Sequence, residues 1–473
     1  MGQEIEESHF TTEAFAAFGE RLRSEQALLE EWFAAGAFER GPTHGGFELE
    51  AWLVGPDMRP SPLVGPMLRD LNDPAVVPEL ATFNCEINGP AVELSGTALT
   101  RLARSLEDAW RRCGDAAAGL GARLAMIGIL PTVEPGHLNL AHMTPRRRYR
   151  ALNDQILALR RGRPLTLELQ GRDRLFMEAE DVMLESAATS FQVHLEVDPE
   201  QATRVYNAAK ILSAPMVAVS ANSPYLFGCD LWAETRIPLF EQAVSAGGST
   251  LCERVSFGVR YAERSILECF QANLARYPIL LPQLMDEPRE RLAHLRLHNG
   301  TIWRWNRPLI GFDSAGRPGL RIEHRVIPSG PTVADCVANA ALFFGAVEAL
   351  AQQEPAPESG LPFLDARANF YAAARDGLDA EIRWLDGRRV RVSEVIAGDL
   401  LPRALGGLLA LGIDQADADH WLAIIAARLR TGQTGAAWQR AWIGTHGPDA
   451  TALTAAYLDR QQGCRPVHEW SLE

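Results

Sequence analysis

The chain has 473 residues, 47% of them hydrophobic and 22% charged, with a formal net charge of −14. That length can bury a large core in one large or two moderate domains, and the balance is ordinary for a globular chain. The acidic excess excludes a general binder of nucleic acid or anionic membranes.

No apolar run reads as long enough to span a bilayer, and the acidic, polar N-terminus is not that of a signal peptide. The seven cysteines are dispersed without a C-x-x-C, which fits a reducing cytoplasm with each cysteine a small buried residue.

Residues 12–34 carry Phe15, Phe18, Leu22, Leu29 and Phe33 at helical spacing, with Thr12 placed to cap the start. Residues 45–53 read as a strand behind a glycine pair. Strand side chains alternate between faces, so Glu48 and Glu50 share one face and Phe47, Leu49, Ala51 and Leu53 the other. Two carboxylates about 5 Å apart repel by roughly 3 kcal/mol at an effective dielectric near 20. A solvated edge dilutes that with water. A semi-enclosed face calls for cations, and Mg²⁺ is the usual hard partner of carboxylates that also hold phosphate.

Residues 55–80 are loop-like, rich in proline and aspartate. Residues 81–94 form two short strands broken at Asn88-Gly89-Pro90, adding Glu86 and Glu93 in apolar surroundings. A helix over about 97–118 and an apolar strand over 124–130 follow. Residues 131–163 turn from irregular to helical, and Arg146-Arg147-Arg148 reads there as a solvated helix face. A hairpin turns at residues 171–173. The strand over 189–197 presents Ser190, Gln192, His194 and Glu196 on one face, and Asp198-Pro199 is placed to start the next helix. That helix ends at Ala221-Asn222-Ser223-Pro224-Tyr225.

Residues 295–305 are assigned to strand. The strand over 320–327 puts Arg321, Glu323 and Arg325 on one face against Leu320, Ile322 and Val326. Pro331-Thr332 opens a helix to about residue 352, and residues 354–360 are the best linker candidate. Beyond it the chain is helical.

Three strands far apart in sequence thus each combine an apolar face with a chemically competent one. Each has a plain structural explanation: polar residues outward on a one-sided sheet, a hydrogen-bonded histidine, a surface ladder of ion pairs. The residue selection favours a site instead. These faces carry Glu, His, Gln and Arg without Lys, a set suited to divalent metal, phosphate and carboxylate.

The chain resembles the glutamate–cysteine ligase superfamily, in its bacterial carboxylate–amine ligase branch. The matching pieces are Gly46-Phe47-Glu48-Leu49-Glu50, Asn84-Cys85-Glu86-Ile87-Asn88 with Val92-Glu93-Leu94, Gln192-Val193-His194, Ala221-Asn222-Ser223-Pro224-Tyr225 and Arg321-Ile322-Glu323-His324-Arg325. Thr431-Gly432-Gln433-Thr434-Gly435-Ala436 extends the likeness into the C-terminal third.

The resemblance implies an α+β, glutamine synthetase-like catalytic fold: a curved antiparallel sheet forming a half-funnel, with helices outside. Residues 1–352 would be the catalytic region and 353–473 a helical region packed on the same domain. The implied reaction is ATP-dependent joining of a small-molecule acid, glutamate, to an amine through an acyl phosphate, releasing ADP and phosphate. Glu48, Glu323 and His194 would hold Mg²⁺ at the ATP phosphates. Glu50 and Glu93 would hold Mg²⁺ nearer the substrate carboxylate, with Glu86 as acidic support. Arg325 would stabilise the transferring γ-phosphoryl, Arg236 would lie near substrate or phosphate, and Gln192 and Arg321 would contact ATP or substrate. No nucleic-acid or membrane partner is expected, and a homo-oligomer is left open. His324 and Trp303-Arg304-Trp305-Asn306 depart from the branch pattern and bear on substrate choice. Two other readings remain: a guanidino-kinase-like phosphotransferase, and a non-catalytic nucleotide-binding protein.

Overall fold

The computed structural model describes residues 4–38, 41–247 and 253–473. Its central sheet has eight strands: β1 (His44–Val54), β2 (Val76–Pro78), β3 (Asn84–Asn88), β4 (Val92–Glu93), β5 (Arg123–Ala125), β6 (Phe191–Val197), β7 (Asn306–Phe312) and β8 (Pro318–His324). The order is β7-β8-β6-β1-β3-β2, with β4 and β5 also paired to β1 and every pairing antiparallel. The sheet curls into a half-barrel with helices packed on it, an α+β architecture.

The longest strand, β1, is central because four neighbours share its length. Phe47, Leu49, Ala51 and Leu53 are buried on one face, as are Phe191, Val193 and Leu195 of β6 and Leu320 and Ile322 of β8. Helix Val333–Ala351 lies in this core, and its cap is the one its sequence predicts: Thr332 Oγ1 accepts from the Asp335 amide. By length and composition that helix could cross a bilayer, contrary to the expectation that no run is long enough, but most of it is buried inside the protein.

Several local expectations are corrected. Helix Thr12–Ala35 is capped by Thr11 rather than Thr12. Residues 55–80 contain helix Val64–Leu71 and β2, not loop alone. The apolar stretch 124–130 is strand only to Ala125. Asp198 and Pro199 form a turn, and the helix starts at Ala202. Residues 293–300 are helix, not strand, and the strand begins at Asn306. Short apolar runs do not distinguish a buried helix from a strand by periodicity alone. Cys464 is exposed and Cys229 half-buried, while Cys85, Cys113, Cys269 and Cys336 are buried as expected; Cys252 lies outside the described residues.

The C-terminal third closes on Asn222. Its side-chain amide donates to Tyr457 Oη and to the Ser329 carbonyl (both 2.8 Å), and its oxygen accepts from Gln439 Nε2 (3.0 Å). Arg428 pairs with Asp335 at 2.7 Å, both fully buried. The motifs around Asn222 and Thr434-Gly435 therefore join the C-terminal helices to the sheet.

Candidate active site

The polar face of the sheet carries the site, and strand register assembles it. Glu48 lies opposite Gln192, Glu323 opposite His194, and Glu50 opposite Glu86. Residues directly opposite in antiparallel strands share a face, so three pairings place five acidic or ligating side chains and one amide together.

Ligand atoms of Glu48, His194 and Glu323 all lie within 4.8 Å of one another. His194 Nε2 is 3.5 Å from Glu48 Oε1 and 4.0 Å from Glu323 Oε1. Neither nitrogen of this buried ring has a partner with hydrogen-bond geometry among the described residues. Two carboxylates and an orphaned imidazole converging on one point are a donor set that fits a divalent cation.

Two arginines balance the charge. Arg307 grips Glu323 through two bonds, Nε to Oε2 at 2.8 Å and Nη2 to Oε1 at 2.9 Å, and Arg325 Nη1 lies 3.2 Å from Oε2. Arg325 also donates to Gln192 Oε1, and Gln192 Nε2 donates to Glu50 Oε1 at 2.8 Å. The Ser190 amide donates to the other Glu50 oxygen at 2.6 Å. Arg325 follows the last residue of β8, so its position depends on how the chain leaves the strand.

The carboxylates divide into two electrostatic groups. Burial pushes Glu48 and Glu323 up, but the positive groups outweigh it: His194 and Arg325 hold Glu48 well below the usual range, and Arg307 and Arg325 do the same for Glu323. Burial raises Glu50 to about 7, with the Glu79 charge adding to it and Arg325 opposing. Burial together with neighbouring carboxylates raises Glu86 and Glu185 well above the ordinary value.

Two cavities meet at this cluster and share Glu48 and Arg321 in their linings. One, about 250 Å³, holds Glu50, Glu79, Glu86, Glu185, Arg148 and Arg325 on its polar side and Leu152, Val182, Phe240, Leu297 and Trp303 on its apolar side. The other, about 500 Å³, is lined by Gly45, Gly46, Asn88, Gly89, Gly311 and Gly319, with the His44–Glu196 pair (2.8 Å) beside them. Glycines there keep the backbone approachable.

Not every residue singled out from sequence reaches the site. Glu93 is exposed at the end of β4, where its carboxylate accepts from Ser95 Oγ at 3.0 Å, and it lines neither cavity. Arg236 is buried and engaged elsewhere: Nε donates to Glu234 at 3.0 Å, Nη2 to the Val326 carbonyl at 2.5 Å, and the guanidinium lies 5.3 Å from the Trp305 ring centroid. It supports the Asn222 turn and does not line the cleft. His324 faces the core, stacked on Phe343 at 4.2 Å with Nδ1 on Asn306 at 2.7 Å, and burial lowers it to about 3. Of Trp303-Arg304-Trp305-Asn306, only Trp303 lines the cleft.

Sequence reading missed Arg307, Arg148, Glu79 and Glu185. The hairpin register that pairs Arg307 with Glu323 is the signal for the first, hidden by placing the strand at 295–305. Arg148 does not belong to a solvated face: it lines the cleft with its guanidinium 4.5 Å from the Tyr149 ring centroid.

A curled antiparallel sheet with helices packed on it, here bearing a carboxylate–histidine cluster and arginines on its polar face, is the glutamine synthetase-like class of fold. Residues 44–456 match glutamate-cysteine ligase family 2 (GCS2), and the chain belongs to that family. No curated protein sequence matches the chain. Among solved structures, the glutamate–cysteine ligase of Francisella tularensis in complex with AMP is 11% identical, with 92% of this chain and 91% of that chain covered and a TM-score of 0.51. A bifunctional glutathione synthetase from Pasteurella multocida is 11% identical, with 92% of this chain and 55% of that one covered and a TM-score of 0.48. The family places the protein among ligases.

Proposed function

We propose that the protein is an ATP-dependent carboxylate–amine ligase that activates glutamate as an acyl phosphate, joins it to an amine and releases ADP and phosphate. The observation that carries this reading is the convergence of Glu48, His194 and Glu323 with Arg325 where two cavities meet. ATP would occupy the larger, glycine-lined cavity, and acid and amine the smaller one. The AMP held by the F. tularensis enzyme is in keeping with a nucleotide site on this fold.

Glu48, His194 and Glu323 would hold Mg²⁺, which when bound neutralises phosphate charge. Arg325, fixed by Glu323 and Gln192, is positioned to grip phosphoryl oxygens with a planar fork. Gln192 and Ser190 orient Glu50 toward the acid and amine cavity. Glu50, Glu79, Glu86 and Glu185 favour a cationic group there, and the apolar wall excludes water from the activated acid. A carboxylate is a poor electrophile until phosphorylated, so alignment and charge neutralisation supply most of what the reaction requires.

The test combines an amine screen against glutamate, read by ADP release, with glutamate labelled in its carboxylate by heavy oxygen. One label should pass into inorganic phosphate, and hydroxylamine should trap a hydroxamate. Arg325→Lys should slow hydroxamate formation on the order of 10²-fold, as for loss of one preorganised donor to a transition-state oxyanion. Label in AMP with release of pyrophosphate, or a stable phosphorylated product, would overturn the reading in favour of adenylation or phosphotransfer.

A further inference from the structure

Arg304 belongs to the segment that departs from the branch pattern, and it faces away from the cleft. It lines a separate cavity of about 50 Å³ together with Lys210, Tyr206, Cys269, Tyr277 and Glu268. None of that cavity's residues lines either cavity of the candidate active site.

Lys210 and Arg304 are both buried, at 1% and 7% exposure. Lys210 Nζ donates to the Phe257 carbonyl at 2.6 Å and lies 4.9 Å and 5.0 Å from the Tyr206 and Phe257 ring centroids. The Arg304 guanidinium lies 5.4 Å from the Tyr277 ring centroid. Neither is in an ion pair with a described residue. The carboxylate in the lining, Glu268, is already held: it pairs with Arg260 at 2.8 Å and accepts from the Arg264 amide at 2.7 Å. Arg260 and Arg276 add two more cations to the lining. Burial pushes Lys210 down to about 7, with Cys269 opposing and Arg304 adding to it.

Buried charges in proteins are paired, hydrogen-bonded or neutralised, and two cations sharing one small cavity leave a position for negative charge. We propose that this cavity is a second ligand site, taking a small oxyanion of the phosphate class between Lys210 and Arg304. The volume admits a phosphate or carboxylate group and excludes a nucleotide. Arg276 and Arg260 border it, so the anion is either free phosphate or the terminal phosphoryl group of a small metabolite.

The test uses the full-length protein. Thermal melting is measured in inorganic phosphate, in glycerol 3-phosphate and in chloride at matched ionic strength, for wild type, Lys210→Met, Arg304→Gln and the surface variant Arg276→Ala. Phosphate should raise the wild-type melting temperature over chloride, and the rise should shrink in Arg276→Ala and fall further, to what binding near Arg325 supplies, in the other two. A rise with inorganic phosphate alone identifies the free anion, and a rise with both identifies a phosphoryl headgroup. Because Arg325 offers phosphate a second place to bind, crystals soaked in tungstate locate the anion independently and do not depend on the variants folding. An anomalous peak between Lys210 and Arg304 supports the site. No peak there, no wild-type shift, or an equal shift in Arg304→Gln overturns it. None of these readouts depends on the ligase reading.

Discussion

Glu48 and Glu323 stand side by side in the cluster, yet their surroundings assign them different burdens. Glu323 is 1% exposed and is the counter-charge for Arg307 and Arg325, whereas Glu48 faces His194 at the junction of the cavities. Removing one partner of a buried ion pair costs about 3–5 kcal/mol because the other charge is left uncompensated. Glu323→Gln should therefore lower stability by an amount toward the bottom of that range, about 3 kcal/mol, as well as abolish turnover. Glu48→Gln, which loses the attraction of His194 and Arg325 but, among the described residues, no ion pair as close as those of Glu323, should lower stability less than Glu323→Gln and cost more than the ~10–100-fold in activity typical of a lost outer partner of a metal site. Denaturant melts alongside ADP-release assays separate the two; equal destabilisation of both variants would show that Glu48 is structural.

Elements are joined to the sheet by a few buried polar contacts, and these set how each element responds to pH and substitution. Glu241, on helix Arg236–Ala243, accepts from Trp305 Nε1 and from Tyr371 Oη, both at 2.8 Å, tying that helix to the approach to β7 and to helix Phe363–Asp376. Burial raises its carboxyl from 4.5 to about 7 against those two donors. The folded state therefore binds this proton more tightly than the unfolded chain. Its contribution is full below pH 4.5 and is lost as pH rises through about 7. Glu241→Gln, which keeps an acceptor, should flatten the fall in stability between those values, a difference on the order of 2 kcal/mol across the window. Thermal melts from pH 5 to 8 check the slope. Gly435 makes a different kind of joint: as the first residue of helix Gly435–His446, a Cβ there would collide with Asn222 Oδ1. Gly435→Ala should destabilise by about 1–3 kcal/mol despite alanine's better helix propensity, because the clash is with a hydrogen-bonded side chain that has no room to move. A rise in melting temperature would refute that packing argument.

At the scale of the molecule, we propose that residues 1–352 and 353–473 form one folding unit rather than a catalytic body with an appendage. Arg428 reaches Asp335, Asn339 and the Val219 carbonyl, and Tyr457 donates to the Met126 carbonyl at 2.8 Å while accepting from Asn222. Without the C-terminal helices, the apolar helix Val333–Ala351 would lose its cover and Asp335 its counter-charge. A chain ending at residue 352 should fail to fold, and the full chain should unfold in one transition by calorimetry. Arg428→Ala should lower stability by about 3–5 kcal/mol, the cost of an unpaired buried carboxylate. A cooperative transition from the truncated chain would separate the two segments.

The alternation in residues 45–53, 189–197 and 320–327 was enough to determine which side chains share a face, because strand periodicity is a local property of the backbone. Order and spacing of short motifs were enough to indicate the family and its fold. Tertiary structure decided the rest. Strand register set which faces meet, so Arg307 joined Glu323 only once β7 paired with β8. The placement of whole elements put Arg148, in the first turn of helix Arg147–Leu159, at the cleft, put Arg236, at the start of helix Arg236–Ala243, against Glu234, and left Glu93 at an exposed strand end. Residues identical in type to those of the site are held away from it, Glu93 by Ser95 and Arg236 by Glu234 and the distant Val326 carbonyl, and only the assembled chain decides which of these contacts form.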